Sequence, residues 1–245
     1  MDLFIQYAGP GAVRVRDEDL GEVDLVRVAW HEPYRCKSDH DYGDLSCKDQ
    51  AGPSESKWNH LARLDWLWDR IAEAEVVCFA DDDVIPMASW FEAFRFFRRL
   101  PLDVAQCALT RDSFYSHPVT LVDPESTWRE TSFVEMMAPI MFGRQALEWR
   151  PFFRDMGPAA WEVECLWSGG RKRTGILDWT PMRHTRPVRA LEHAARFGVD
   201  PVEERRAFCE RWGLRVPDYA FETKRRHPVE SKKGGSLMGD VSKRI

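Results

Sequence analysis

Residues 79–86 read FADDDVIP, and the three consecutive aspartates 81–83 directly follow an apolar run, VVCFA (76–80). Adjacent carboxylates repel, and no basic residue stands beside them in the sequence. Two arrangements tolerate such a triplet: a solvated turn, or a cation held between the side chains. Hard divalent cations such as Mg2+ and Mn2+ take oxygen ligands, commonly one or two carboxylates together with substrate phosphates. Alternate side chains of an extended segment point the same way, so Asp81 and Asp83 are expected to act together while Asp82 faces elsewhere. The metal-free alternative is a set of solvated acids, one of them capping a helix that starts near residue 87.

The surrounding elements must hold that triplet in place. LFIQY (3–7) and VDLVRVAW (23–30) have strand character, separated by a turn-rich segment with Gly9, Pro10 and Gly11. Residues 31–53 are polar and read as a long loop. A helix is expected from about Glu55 to Glu73, capped by Ser54, with Leu61, Leu64, Leu67, Trp68 and Ile71 at helical spacing. VVCFA is a strand with the aspartates at its C-terminal end. Residues 87–99 read as helix, 103–109 as strand, and 132–142 as a strand bent by Pro139. Residues 143–150 read as helix, WEVECLW (161–167) as either type, and GILDW (175–179) as a short strand. Two helices follow, the second with Asp200 as N-cap, Pro201 at N1, Glu203 at N3 and Gly213 past its end. This order predicts an α/β fold with a mixed, mostly parallel sheet and helices on both faces. Ligands of such sheets bind beyond the carboxyl ends of the strands, which is where the triplet stands.

The bulk numbers limit the options. The chain has 245 residues, 44% of them apolar, with 11 Trp and 14 Phe, enough for a sizeable core. A net charge of −5 argues against a wholesale nucleic-acid binder. Local basic clusters occur at Arg95, Arg98 and Arg99, at Arg171, Lys172 and Arg173, and at Lys224, Arg225 and Arg226. None of the six cysteines has C-x-x-C spacing, and Cys78 and Cys107 sit in apolar runs as small core residues. MDLFIQYAGPG does not read as a signal peptide, and no apolar stretch nears the ~20 residues of a membrane span. The expectation is a soluble protein of the reducing cytoplasm. One domain is expected over 1–223, with a nucleotide-binding half to about residue 110 and an acceptor half from 111. Residues 224–245 are expected to form a basic, mobile tail.

Four stretches carry a resemblance: SKWNHL (56–61), CFADDDVIP (78–86), FVEMMAPIMF (133–142), and WEVECLW (161–167) with GILDWTPMRHTRPV (175–188). The aspartate triplet followed by W-x-x-[DE]-x-x-W and D-x-x-P-M-x-H-x-R-P resembles the GT-A glycosyltransferases, and most nearly their DUF707 group. The resemblance spans most of residues 54–188. It implies a GT-A-like fold, a nucleotide-sugar donor, most readily a UDP-sugar, and Mn2+ or Mg2+ as cofactor. Asp81 would contact the donor's ribose or sugar, with Asp82 beside it, and Asp83 with Asp81 would bind the metal. His184 matches the histidine that completes the metal shell in that group, and a neutral imidazole suits Mn2+. Taken alone, a single histidine is more often structural.

Further residues follow from the same likeness. Lys57 matches a basic residue near the donor, where chemistry alone offers a solvated first-turn lysine set against the helix dipole. Glu164 holds the place of a base that would deprotonate the acceptor in an inverting enzyme. Glu162 is a second candidate, where glycine is more usual in the group. On a helix the two point to nearly opposite sides, so only one can face the donor. Glu135 is an acid in an apolar run, placed to hold Lys57 or an arginine, to line the acceptor site, or to lie on an exposed strand face. Asp178 would orient His184 or end a strand.

The function expected is metal-dependent transfer of a sugar to a hydroxyl of a soluble acceptor. That acceptor is either a glycan or a hydroxymethylated pyrimidine in DNA, the basic clusters then contacting phosphates. Two other classes compete: a nucleotidyltransferase or pyrophosphatase, and a non-catalytic nucleotide-sugar-binding protein on the same scaffold. The sequence lacks G-x-G-x-x-G and G-x-x-x-x-G-K-[ST], which counts against the former.

Overall fold

The computed structural model describes residues 1–8, 13, 15–29, 56–168, 171–188, 195, 197–217 and 221–229. Its centre is a nine-stranded mixed sheet with helices on both faces. The strands are β1 (Asp2–Ala8), β2 (Asp24–Ala29), β3 (Val76–Asp81), β4 (Val84–Pro86), β5 (Val104–Leu109), β6 (Ser126–Thr131), β7 (Ile140–Phe142), β8 (Thr174–His184) and β9 (Thr223–Pro228). The order is β2-β1-β3-β7-β5-β8-β6-β9, with β4 paired to β8. Following the pairings, β1, β2, β3, β5, β8 and β9 share one direction, while β4, β6 and β7 run against them. The expected bias toward one strand direction is therefore present.

Helices α1 (Asp17–Leu20), α2 (Lys57–Arg63), α3 (Asp65–Glu73), α4 (Trp90–Phe97), α5 (Gly143–Phe153) and α6 (Pro201–Trp212) cover the sheet. Strand alternation supplies both cores. Val77 and Phe79 of β3 pack with α2, α3 and α5 around Trp58, Trp68 and Phe153, while Val76, Cys78 and Ala80 face α1 and α4 around Trp90 and Phe94. A strand covered on both sides must be apolar at successive positions, which is why VVCFA lacks polar alternation.

Several boundaries differ from the sequence expectation. The helix expected over 55–73 is two helices, broken at Leu64, whose φ −82° and ψ 83° leave the helical region. Leu64 is buried, and the Leu61 carbonyl accepts from both Leu64 N at 3.2 Å and Trp68 Nε1 at 2.9 Å. The cap is Ser56, whose hydroxyl accepts from Asn59 N; Ser54 lies outside the described residues. Only 140–142 of the expected strand 132–142 joins the ladder. Pro139 and Met137 still run beside β3, accepting from Phe79 N at 3.2 Å and Asp81 N at 2.7 Å. WEVECL is a 3-10 helix, Trp161–Leu166. The segment from 224, expected to be mobile, is in part β9, paired to β6. The helix capped by Asp200 forms as expected, its carboxylate accepting from Val202 N and Glu203 N, and Gly213 ends it at φ 61°. The loop 31–53, Cys36, Cys47, residues 230–245 and most of the penultimate helix lie outside the described residues.

Candidate functional site

β3 carries the aspartates to the carboxyl end of the sheet. There Tyr7 of β1 is the register partner of Asp81, and Val84 of β4 faces His184 at the end of β8. Two segments distant in sequence thus meet because β4 folds back onto β8. The Asp83 carbonyl accepts from Thr185 N and from Thr185 Oγ1, each at 2.9 Å, which locks the turn to the strand end.

The protein itself supplies cations to the triplet. Lys57, the first residue of α2, places Nζ 2.5 Å from Asp81 Oδ1 and 2.9 Å from the Met136 carbonyl. Its side chain is only 9% exposed. Arg186 pairs with both Asp82 and Asp83, its Nε 3.1 Å from Asp83 Oδ2. His184 Nε2 lies 3.1 Å from the same Oδ2. Asp82 is therefore no bystander facing elsewhere: Asp82 and Asp83 share one arginine, and Asp81 turns to a lysine from another element. Alternation fails here because 82 and 83 lie in a turn rather than in a strand.

His184 is held on both sides. Its Nδ1 lies 2.8 Å from the Phe114 carbonyl, an acceptor, so that nitrogen carries the proton and Nε2 is directed at Asp83. Burial alone would depress this histidine; the hydrogen bond and charge of Asp83 and the Phe114 carbonyl raise it to about 9. A carbonyl that fixes one ring nitrogen is a common way of orienting metal-ligating imidazoles, whose other nitrogen meets the metal. Asp83 Oδ1 is buried with no hydrogen-bond partner. Asp83 and His184 thus bring a carboxylate and an imidazole to one place. Among the described residues, no three His, Cys, Asp or Glu side chains assemble as a ligand set, and Asp81 is held by Lys57 instead.

The acids divide between two locations. Glu135 is buried; removal from water raises it to about 7, and it feels the charges of His184, Asp81 and Lys57. Glu164 is buried too, raised well above the carboxylate range by burial and then by Glu135, and drawn back by Arg205 and the Met136 N–H. Glu162 does not join them. Its carboxylate accepts from Gly157 N at 2.9 Å and pins the 157–162 loop beside Glu204. The opposed directions expected of 162 and 164 are realised on a 3-10 helix. Among the described residues, Glu135 forms no ion pair with Lys57 or with an arginine.

Asp178 does not orient His184. It forms a bidentate pair with Arg129 of β6, with Nε and one terminal nitrogen each at 2.9 Å, and accepts from Asp123 N. Nothing in the sequence around Arg129 announced this partner. The basic clusters are likewise drawn into pairs: Arg98 with Asp2 and Glu75, Arg173 with Glu130, and Arg226 with Asp123. Gln106 and Arg186 were not singled out from sequence. Gln106 fixes the Glu135 backbone, and Arg186, two residues beyond His184, reaches the same Asp83 oxygen as the imidazole.

No protein-family model matches the chain, and no curated protein sequence does either. Among solved structures it is similar to "Crystal Structure of A197 from STIV", at 16% identity over 76% of this chain and 85% of that one, with a TM-score of 0.42. A likeness of that size bears on neither family nor activity. Among the described residues, no helix is long and apolar enough to cross a membrane.

Proposed function

We propose that this chain is a metal-dependent glycosyltransferase of GT-A type, taking a sugar from a UDP-sugar and placing it on a hydroxyl of a glycan. One observation carries the reading: Asp83 and His184 meet at the carboxyl end of the sheet, with Nδ1 of the imidazole tied to a carbonyl and Nε2 turned to the carboxylate. Asp83 and His184 would hold Mn2+ or Mg2+, the remaining positions going to phosphate oxygens and water. The bound ion would offset the charge of the departing diphosphate. Asp81, steadied by Lys57, offers an acceptor oxygen to donor hydroxyls. Arg186 is half-exposed, and its planar fork suits phosphate oxygens once it leaves the acids. Pairing within the basic clusters lends less support to a DNA acceptor than to a glycan.

The test is a panel of nucleotide sugars with Mn2+, read by thermal shift and by nucleotide release. The parent protein should gain metal-dependent stability with one donor, and Asp83→Ala should lose it. Equal responses from parent and variant would remove Asp83 from the site. Release of UMP in place of UDP would favour attack on the pyrophosphate, and stabilisation without release would favour a binding protein.

A further inference from the structure

Resting on that reading, we propose that Glu135, and not Glu164, is the carboxylate that takes the proton from the attacking hydroxyl. The segment 134–137 is fastened on both sides. Trp167 Nε1 donates to the Val134 carbonyl at 2.8 Å, and Glu135 N donates to Gln106 Oε1 at 2.5 Å. Lys57 Nζ donates to the Met136 carbonyl at 2.9 Å, and Asp81 N to the Met137 carbonyl at 2.7 Å. Glu135 thus sits between the β3 end, with its aspartates, and the 3-10 helix that carries Glu164.

The electrostatic neighbours follow that order. Glu135 feels His184, Asp81 and Lys57 on one side and acts on Glu164 on the other. Glu164 answers to Glu135, and beyond it to Arg205 and the Met136 N–H; neither the aspartates nor His184 acts on it. A base also needs a lone pair kept for the substrate. The Glu135 carboxyl accepts from the Ser116 hydroxyl, while its Oε2 is buried with no hydrogen-bond partner. An unpartnered oxygen in a dry position is costly to maintain, and an incoming hydroxyl satisfies it. A titration point near 7 suits proton abstraction at neutral pH.

The step balances without a further reagent. The acceptor oxygen bonds to the anomeric carbon as its proton passes to Glu135 Oε2. The bond from that carbon to the diphosphate oxygen breaks, and the electron pair leaves with the nucleotide. Inversion at the anomeric carbon is the consequence.

The experiment measures UDP release from a panel of UDP-sugars with Mn2+, water acting as acceptor, beside donor-induced thermal shift. Glu135→Gln should lower release by about 10²- to 10⁴-fold with the thermal shift retained, and Glu164→Gln should lower it far less. Formate should restore release to Glu135→Ala and not to Glu164→Ala. If Glu135→Gln does not fold, Glu135→Asp takes its place and must be folded yet slow. A parent that releases UDP while Glu135→Gln stays within about threefold of it overturns the assignment and leaves the transferase reading standing. A parent inert toward every donor overturns both.

Discussion

Lys57 changes the meaning of the aspartate triplet. Three carboxylates in a row suggest a metal only while no protein cation is in view, and here Lys57, Arg186 and His184 supply that charge. The fold is therefore electrostatically complete, and the metal becomes a question of chemistry. Replacing Lys57 by Met leaves Asp81 without its cation and the Met136 carbonyl without its donor. Asp81 is 39% exposed, so water screens part of the loss. The expected cost is about 1–2 kcal/mol, read by urea unfolding. The residues of this site were legible to unequal degrees. Asp81 and Asp83 could be picked out because carboxylates close an apolar strand, and His184 because its place after GILD matches the resemblance. Their pairings could not: the resemblance places Lys57 near the donor but not on Asp81, 24 residues away, and Arg186 lies 104 from Asp82. Only the topology brings those pairs together. Glu162 and Glu164 look alike in sequence. What separates them is which of two neighbouring acids turns to the loop at Gly157, a tertiary detail.

Elements were most legible where the local chemistry was self-contained. Asp200, Pro201 and Gly213 bracket α6 with no help from the rest of the chain. The missed strands are β4, β6 and β9, short or polar segments that exist because a neighbour needs an edge to pair with. β6 is the clearest case, since its Arg129 is buried only because Asp178 of β8 waits opposite. This pair makes a prediction that separates architecture from chemistry. Removing Arg129 alone, as Arg129→Met, strands a buried carboxylate and should cost about 3–5 kcal/mol. Replacing both, as Arg129→Met with Asp178→Leu, should recover most of that loss, because two apolar groups need no partner. In the double variant, the Mn2+-dependent thermal shift should persist. Loss of the shift with stability restored would return Asp178 to the site as a partner of His184. A gentler check at the same scale is Ser56→Ala, which removes the cap that begins α2 at Lys57 and should cost about 1 kcal/mol.

For the whole molecule, burying these acids works against the usual response to pH. Carboxylates stabilised by folding make proteins weaken as pH falls, whereas here Glu135, Glu162, Glu164 and Asp178 are all raised, chiefly by burial. Glu135 titrates near 4.5 when unfolded and about 7 when folded. The folded state holds the proton more tightly between those values, so stability is greatest below 4.5 and declines as pH rises through 7, by about 3 kcal/mol. His184 has its ordinary value of 6.5 raised to about 9. Its contribution is complete below 6.5 and is lost as pH climbs through 9, again by about 3 kcal/mol. The two windows adjoin, so the chelated protein should weaken steadily from pH 5 to pH 9 in urea unfolding. Glu135→Gln should flatten the lower half of that curve and His184→Asn the upper half. Mn2+ should act in the opposite sense, because it competes with the proton for Nε2 and its stabilisation grows with pH over the His184 window. Unfolding curves flat over the whole range in the parent and both variants would mean that neither group is held away from water. The site geometry built on them would fall with that result.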